Sequence, residues 1–255
     1  MSVPNELTVC ALGATSYREG LALQEALVRA RAAGETGDWL LYPEHPPVLT
    51  VGRNPSAGNV IADAATLARL GVEVFEVSRG GDVTWHGPGQ LVGYPIVALE
   101  RVKRDLHVWL RTLEEALIQP LAAWGIAATR SPGRTGVWVG ERKIASLGVA
   151  VRRWVGYHGF ALNVNPDLSG FSLIHPCGLH GIRMTSIAAE LGEQAPSAGQ
   201  VREAVTRELA SRLGYDRIVE VGPEQARVFL ERGRDEDTRT SAGEPASHSG
   251  GLNPW

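Results

Sequence analysis

Apolar residues along this chain switch repeatedly between the extended and the helical period. Leu7 to Leu12 is a short continuous apolar run, which predicts a strand. From Tyr17 to Ala32 the positions Leu21, Leu23, Ala26, Leu27 and Ala30 recur at helical spacing. Trp39 to Tyr42 and Val48 to Val51 predict strands on either side of Pro46-Pro47, and Asp63 stands where it would cap a short helix ending at Leu70. Val72 to Val77 and Leu91 to Ala98 predict two further strands. Leu106, Leu110, Leu113 and Leu117 lay one stripe along a helix from about Arg104 to Trp124, with Pro120 expected to end or kink its last turn.

Strands dominate the middle of the chain, at Gly136 to Val139, Lys143 to Arg152 and Gly156 to Val164. Helical spacing returns over Thr185 to Leu191, Gln200 to Leu213 and Pro223 to Arg232. From Gly233 onward the composition is rich in Asp, Glu, Arg, Ser, Gly and Pro, too polar to offset the entropy of ordering, and a disordered tail is expected. The expected organisation is one catalytic domain over residues 1–215, a C-terminal helix over 216–232 and a tail over 233–255. The pattern alone reaches a class, α/β or α+β, with mixed sheets flanked by helices.

Charge and cysteine usage narrow the function classes. The formal net charge of −3 over 255 residues gives no basic footprint for nucleic acid or a membrane surface. No apolar run approaches the roughly 20 residues that span a bilayer. The segment from Met1 to Leu7 lacks the basic region and apolar core of a signal peptide. A soluble, cytoplasmic protein is expected. The two cysteines, Cys10 and Cys177, make neither a disulfide framework nor a zinc-type cluster. Such sparse usage suits a reducing compartment, where a lone thiol stays reactive.

The most concentrated signal is the segment from Arg79 to Gln90. It sets Gly80, Gly81, Gly87, Pro88 and Gly89 around one arginine and one histidine, between two apolar runs. A glycine-rich loop of this kind lets backbone approach something bound there, or makes a tight double turn. Cys177, between Pro176 and Gly178 in an aperiodic segment, is either a turn-positioned thiol facing a cavity or a small buried hydrophobe. Cys10 fits the buried reading. Lys143 lies among Ile144, Ala145, Leu147 and Val149, which makes it either a buried ammonium or an edge lysine whose head reaches solvent.

Five stretches together resemble the lipoyl/octanoyl transferases. The segment from Arg79 to Gln90, with Tyr94-Pro95-Ile96 after it, matches that family's R-G-G-x-x-T-x-H-x-P-G-Q signature. Glu44 to Arg53, Arg142 to Val149, His158 to Val164, and Ile174 to Leu179 followed by Thr185-Ser186 agree in order and spacing, so the resemblance runs from about residue 8 to about residue 215. It implies the biotin/lipoyl protein ligase fold. It also implies a reaction in which an octanoyl (or lipoyl) group moves from acyl carrier protein to a lysine of a lipoyl domain. The recipients implied are the lipoyl domains of 2-oxoacid dehydrogenase E2 subunits and the H protein of glycine cleavage. Neither cofactor nor metal is expected, and the family suggests a monomer.

Residue by residue, the resemblance places a catalytic Cys–Lys pair at Cys177 and Lys143. An ammonium near the sulfur favours thiolate, the nucleophilic form. The expected acyl pocket comprises Arg79, Gly80, Gly81, Asp82, Val83, Thr84, Trp85 and His86, then Ser146, Leu147 and Gly148, then Gly159, Phe160 and Ala161. The small residues would admit an eight-carbon chain, with Phe160 and Leu147 as apolar wall. Arg79 and His86 would meet the carbonyl end or the carrier's phosphopantetheine, with His158 as an additional neighbour. Backbone near Gly178 or Gly148 would hold the oxyanion. His175 and His180 are alternative partners for Cys177. Three other readings use the same residues: an ATP-dependent lipoate ligase of this fold, a cysteine hydrolase of acyl thioesters pairing Cys177 with His86, His158 or His175, and a lipoyl-domain binding module without chemistry.

Overall fold

Two sheets of unequal size share the chain. The computed structural model describes residues 5–53, 55, 58–175 and 182–241, and for 233–241 the backbone alone. In the large sheet β1 (Glu6–Ala14) runs parallel to β2 (Asp38–Glu44) and to β12 (Arg217–Val221). β2 pairs antiparallel with β6 (Gln90–Ala98), and β6 with β10 (Val155–Asn163). β9 (Arg142–Arg152), β8 (Arg134–Val139) and β7 (Ala128–Ser131) continue antiparallel, while the two-residue β11 (Arg183–Met184) lies parallel to β9. In the small sheet β3 (Val48–Val51) sits between β4 (Glu73–Glu76) and β5 (Val83–His86).

Helices cover both faces of the large sheet, and this explains its long apolar runs. α3 (Leu106–Ala123) and α5 (Ala198–Arg212) pack Trp109, Leu113, Val205 and Leu209 against Leu40, Val97 and Leu162 on one face. α1 (Tyr17–Ala33) and α6 (Pro223–Ser241) pack Leu23, Leu27 and Ala226 against Leu41, Tyr94 and Ala161 on the other. Every residue of β6 is therefore buried, successive side chains going to alternate cores. The caps follow local chemistry: Ser16 accepts from the Glu19 amide, Asp63 opens α2 (Ala64–Leu70), and Ser197 with Gln200 forms a capping box on α5. α4 (Ile187–Leu191) follows β11.

Mixed sheets flanked by helices agree with the class expected from the pattern. Several elements differ, among them β5, which falls within the segment read as a glycine-rich loop, and β11. Residues 216–232 are not helix throughout, because Arg217–Val221 forms β12. β7 was also unforeseen; both strands are sheet edges with much of their length exposed, so neither carries a clean two-residue alternation. The helix that begins at Pro223 continues to Ser241, past Gly233 where a tail was expected. Residues 242–255 lie outside the described residues. Pro120 neither ends nor breaks α3, which runs on to Ala123. Among the described residues no helix is long and apolar enough to cross a membrane.

One buried carboxylate ties four elements together. Asp38, at the start of β2, accepts from Arg31 Nε at 2.7 Å, Arg101 Nε at 2.8 Å, the Ala98 amide at 2.9 Å and the Tyr215 hydroxyl at 2.8 Å. Burial pushes its pKa up, but the Ala98 amide and the two guanidiniums outweigh burial and hold it below the usual carboxylate value. Removing this acceptor strands two arginines and a tyrosine hydroxyl. Asp38→Ala is expected to cost about 3 kcal/mol in urea unfolding; a loss below about 1 kcal/mol would show that the cluster contributes no more than a surface pair.

Candidate active site

The site forms where the glycine loop lies across β9. The Gly80 amide donates to the Val149 carbonyl at 2.9 Å, which fastens the loop to the large sheet. The Gly52 amide donates to Asp82 O at 3.0 Å and the Arg53 amide to Arg79 O at 3.0 Å, which fasten it to the small one. The Arg79 side chain turns inward and is only 7% exposed. Its Nη2 donates to Thr50 O at 2.6 Å and to Thr50 Oγ1 at 2.8 Å, and Nη1 to Gly80 O at 3.1 Å. Beneath it sits Gly148. A Cβ there would lie 2.8 Å from Arg79 Cδ and 3.0 Å from Gly80 O, so a larger residue would lift the loop from the strand.

Between loop, strand and α1 lies a cavity. Of the residues named from sequence, Arg79, Gly81, Asp82, Val83, Thr84 and His86 line it from the small-sheet side. Ser146, Leu147 and Gly148 line it from β9, and His158, Gly159, Phe160 and Ala161 from β10. Two expected wall residues do not. Gly80 lies on Val149, and Trp85 turns away to pack on Phe171, at a ring distance of 5.3 Å, in the small sheet's own core. Alternation along β5 explains Trp85: its neighbours Thr84 and His86 share the other face. Tyr17 and Tyr94 also line the cavity. Tyr94 had its Y-P-I setting as a signal; Tyr17, the first residue of α1, had none.

The hydrogen bonds around the cavity fix its proton inventory. The Thr185 carbonyl can only accept, so the Asn163 amide presents Nδ2 to it, at 2.9 Å. Asn163 Oδ1 then accepts from Gln90 Nε2 at 3.0 Å. That leaves Gln90 Oε1 to accept from His86 Nδ1 at 3.2 Å, so neutral His86 turns a lone pair, at Nε2, away from this chain. His45 donates from Nδ1 to Thr15 O at 2.8 Å, so its Nε2 accepts from the Tyr94 hydroxyl at 2.7 Å. His158 adopts the left-handed φ of 56° within β10, and its amide donates to Gln24 Oε1 at 2.8 Å. Its Nε2, buried, has no partner among the described residues.

Burial keeps these rings neutral. Desolvation, then His45 and Arg79, lowers the His86 pKa to about 3, and desolvation with Arg79 and Arg53 lowers that of His158 to about 3. His45 is also lowered by burial, and burial raises Tyr17 to about 12.

Lys143 does not line the cavity. It is buried in β9, 1% exposed, three residues before Ser146, with Nζ 5.4 Å from the centre of the Trp138 ring. The edge-lysine reading is thereby overturned: neighbouring strands and Trp138 enclose the side chain. Cys177, Gly178 and His180 lie outside the described residues. The chain to either side is anchored. The His175 amide donates to Asn59 O at 2.8 Å, and Met184 pairs with Lys143. Cys10 is buried in the core with Leu23 and Leu41.

Fold and site together define a mixed α/β domain with a cavity between its two sheets, and comparison with known proteins gives its family. The family model described as the lipoyl protein ligase A/B catalytic domain matches residues 16–210. An octanoyltransferase of Myxococcus xanthus is 45% identical over 252 residues, covering 91% of this chain and 70% of its own length. One of Rubrobacter xylanophilus is 52% identical over 196 residues, covering 76% of this chain and 88% of its own. A crystal structure of lipoate-protein ligase A bound with ATP superposes with a TM-score of 0.73 at 21% identity, covering 91% of this chain and 95% of its own, a likeness of fold. The chain belongs to the lipoyl protein ligase A/B catalytic family and, within it, to the octanoyltransferases. It is a transferase.

The neutral histidines make stability pH-dependent. His158 has a folded pKa of about 3 against an ordinary value of 6.5, so between these values the unfolded chain binds more protons. Its contribution is complete above about pH 6.5 and declines as pH falls, by about 2 kcal/mol at pH 5. His158→Asn, which tolerates the left-handed backbone, should therefore lose about 2 kcal/mol less than the parent between pH 7 and pH 5 in urea unfolding. Equal losses in the two proteins would refute a neutral buried His158.

Proposed function

We propose that the enzyme carries an octanoyl group from the thioester of acyl carrier protein to a lysine of a lipoyl domain, holding it in between on Cys177. The recipients are the lipoyl domains of 2-oxoacid dehydrogenase E2 subunits and the glycine cleavage H protein. The observation that carries this reading is the fully enclosed Lys143 on the strand that walls the cavity at Ser146 to Gly148. A buried ammonium needs a reason. A thiolate at Cys177 is one.

The chemistry balances without ATP. Cys177 sulfur attacks the carbonyl carbon of the carrier thioester; the new C–S bond forms, the carrier's C–S bond breaks, and the carrier thiol leaves with a proton from the Lys143 ammonium. The target amine then attacks the acyl-enzyme. Its C–N bond forms, the bond to Cys177 breaks, and the released proton returns to Lys143, leaving thiolate beside ammonium again. Thioester to amide is downhill. The apolar surfaces of Leu147, Phe160 and Ala161 suit an alkyl chain, and Arg79 and the neutral His86 suit the polar end.

Intact mass after incubation with octanoyl-acyl carrier protein, without ATP, tests this. The parent should gain one octanoyl group, which a lipoyl domain then removes; Cys177→Ser should gain none and lose transfer by roughly 10³-fold or more. Lys143→Ala should lower transfer by roughly 10²-fold or more and move the pH profile of Cys177 alkylation upward. Transfer with no adduct would point to direct attack by the target lysine. An adduct-free protein active only with ATP and a free acid would be a ligase.

A further inference from the structure

Lys143 does not occupy its position by strand alternation. Val137 pairs with Ala145 but Trp138 pairs with Lys143, so β9 carries one extra residue, Ile144, opposite that step. Ile144 and Ala145, consecutive in sequence, both join the core under α3 and α5. The bulge therefore puts Lys143 on the face of Trp138, opposite to Ala145, and so on the face that Ser146 and Gly148 present to the cavity. A regular strand would have turned Lys143 into the α3 core.

The re-aimed side chain needs room, and Gly136 supplies it. Gly136 has φ 131°, and a Cβ there would lie 2.5 Å from Lys143 Cε, 2.7 Å from Ala145 O and 3.2 Å from Lys143 Nζ. The lysine stem thus lies directly over the bare glycine, with Trp138 beside its head. From α3 the Gly136 amide is held by Glu114, whose Oε1 accepts it at 3.2 Å. The Glu114 side chain is 1% exposed, and its Oε2 accepts from Arg111 Nη1 at 2.5 Å and Arg130 Nε at 3.1 Å. Two arginines thus fix a carboxylate, the carboxylate fixes a glycine amide, and the glycine leaves the slot.

We propose that Glu114 and Gly136 are positioning residues for Lys143, acting through the bulge and slot rather than by touching substrate. The proposal rests on the role given to Lys143 above. Misplacement of a reacting group by about 1 Å is enough to cost on the order of 10² in rate.

The test is a mutant cycle on the full chain, read as kcat, KM for the lipoyl domain, and the pH profile of Cys177 alkylation. Gly136→Ala should lower kcat by about 10²-fold with KM unchanged and shift the alkylation profile upward. In a Lys143→Ala background, where the stem is absent and only the contact with Ala145 O remains, Gly136→Ala should lower kcat far less than in the parent, because glycine and lysine act largely as one unit. Glu114→Gln, which keeps an acceptor for the Gly136 amide but loses the charge that the arginines hold, should give a smaller shift in the same direction. It decides the matter if Gly136→Ala does not fold. Unchanged kcat and alkylation in Glu114→Gln, or losses from Gly136→Ala and Lys143→Ala that simply add, would overturn the positioning role. No effect from Lys143→Ala itself would instead remove the catalytic reading on which it rests.

Discussion

The bond from the Gly80 amide to the Val149 carbonyl is where the small sheet meets the large one, and the cavity exists because that junction is tight. Everything beneath it is small for this reason. Gly148 admits the Arg79 stem, and the Arg79 guanidinium reaches through to Thr50 on the far strand. A charge buried in this way needs acceptors, and here the Thr50 and Gly80 carbonyls and the Thr50 hydroxyl take its two Nη groups. The cation then acts on its surroundings: it lowers the pKa of His86 and His158 and opposes the effect of burial on Tyr17 and Tyr94. The wall that results combines the Arg79 guanidinium and the Asp82 side chain with neutral imidazoles and phenols.

The two ends of the site share one scaffold. Thr185 gives its amide to Lys143 O at 2.9 Å and takes the Asn163 side chain on its own carbonyl. Through Asn163 and Gln90 that carbonyl sets which nitrogen of His86 bears hydrogen. Thr185 in turn donates its hydroxyl to Glu190, which pairs with Arg142 at the start of β9. Lysine strand and histidine face are therefore held by a continuous chain of hydrogen bonds that closes on the residue next to Lys143. The orientation of each amide follows from its neighbour.

Much of the architecture was legible because burial on two faces writes itself as long apolar runs, as in β6 and β10, and because Asp63 opens a helix by its own chemistry. What was not legible has physical causes. β12 and β7 are edges with little buried surface. The composition beyond Gly233 is too polar to be buried, yet a helix already propagating from Pro223 gains a hydrogen bond for each residue added and does not need burial at every turn. At the site, Arg79, His86 and the residues of β9 and β10 were legible from a motif, whereas Tyr17 carried no signal beyond being apolar enough for α1. Trp85 was misplaced by treating the motif as a patch, when a strand must send alternate residues to opposite faces. The bulge at Ile144 was not read from the sequence because two consecutive apolar residues also occur in strands buried on both faces; the register of β8 reveals the extra residue.

That bulge bears on how one fold serves different acyl chemistries. A lipoate-protein ligase has the same fold at 21% identity, so sheet order and helix placement alone do not determine the reaction. The differences must lie in features that local sequence can change while leaving the sheet intact. A one-residue bulge on β9 is such a feature, since it redirects a single side chain from the helix-covered core to the cavity face without altering β10 or β6. The segment between Ile174 and β11 is another. It is tied on one side through Val60 and Asn59 and on the other through β11 to β9. On the roles proposed above for Cys177 and Lys143, these are two independent local devices. Both refer to the same stretch of β9, because β11 pairs with Arg142 and Lys143 themselves.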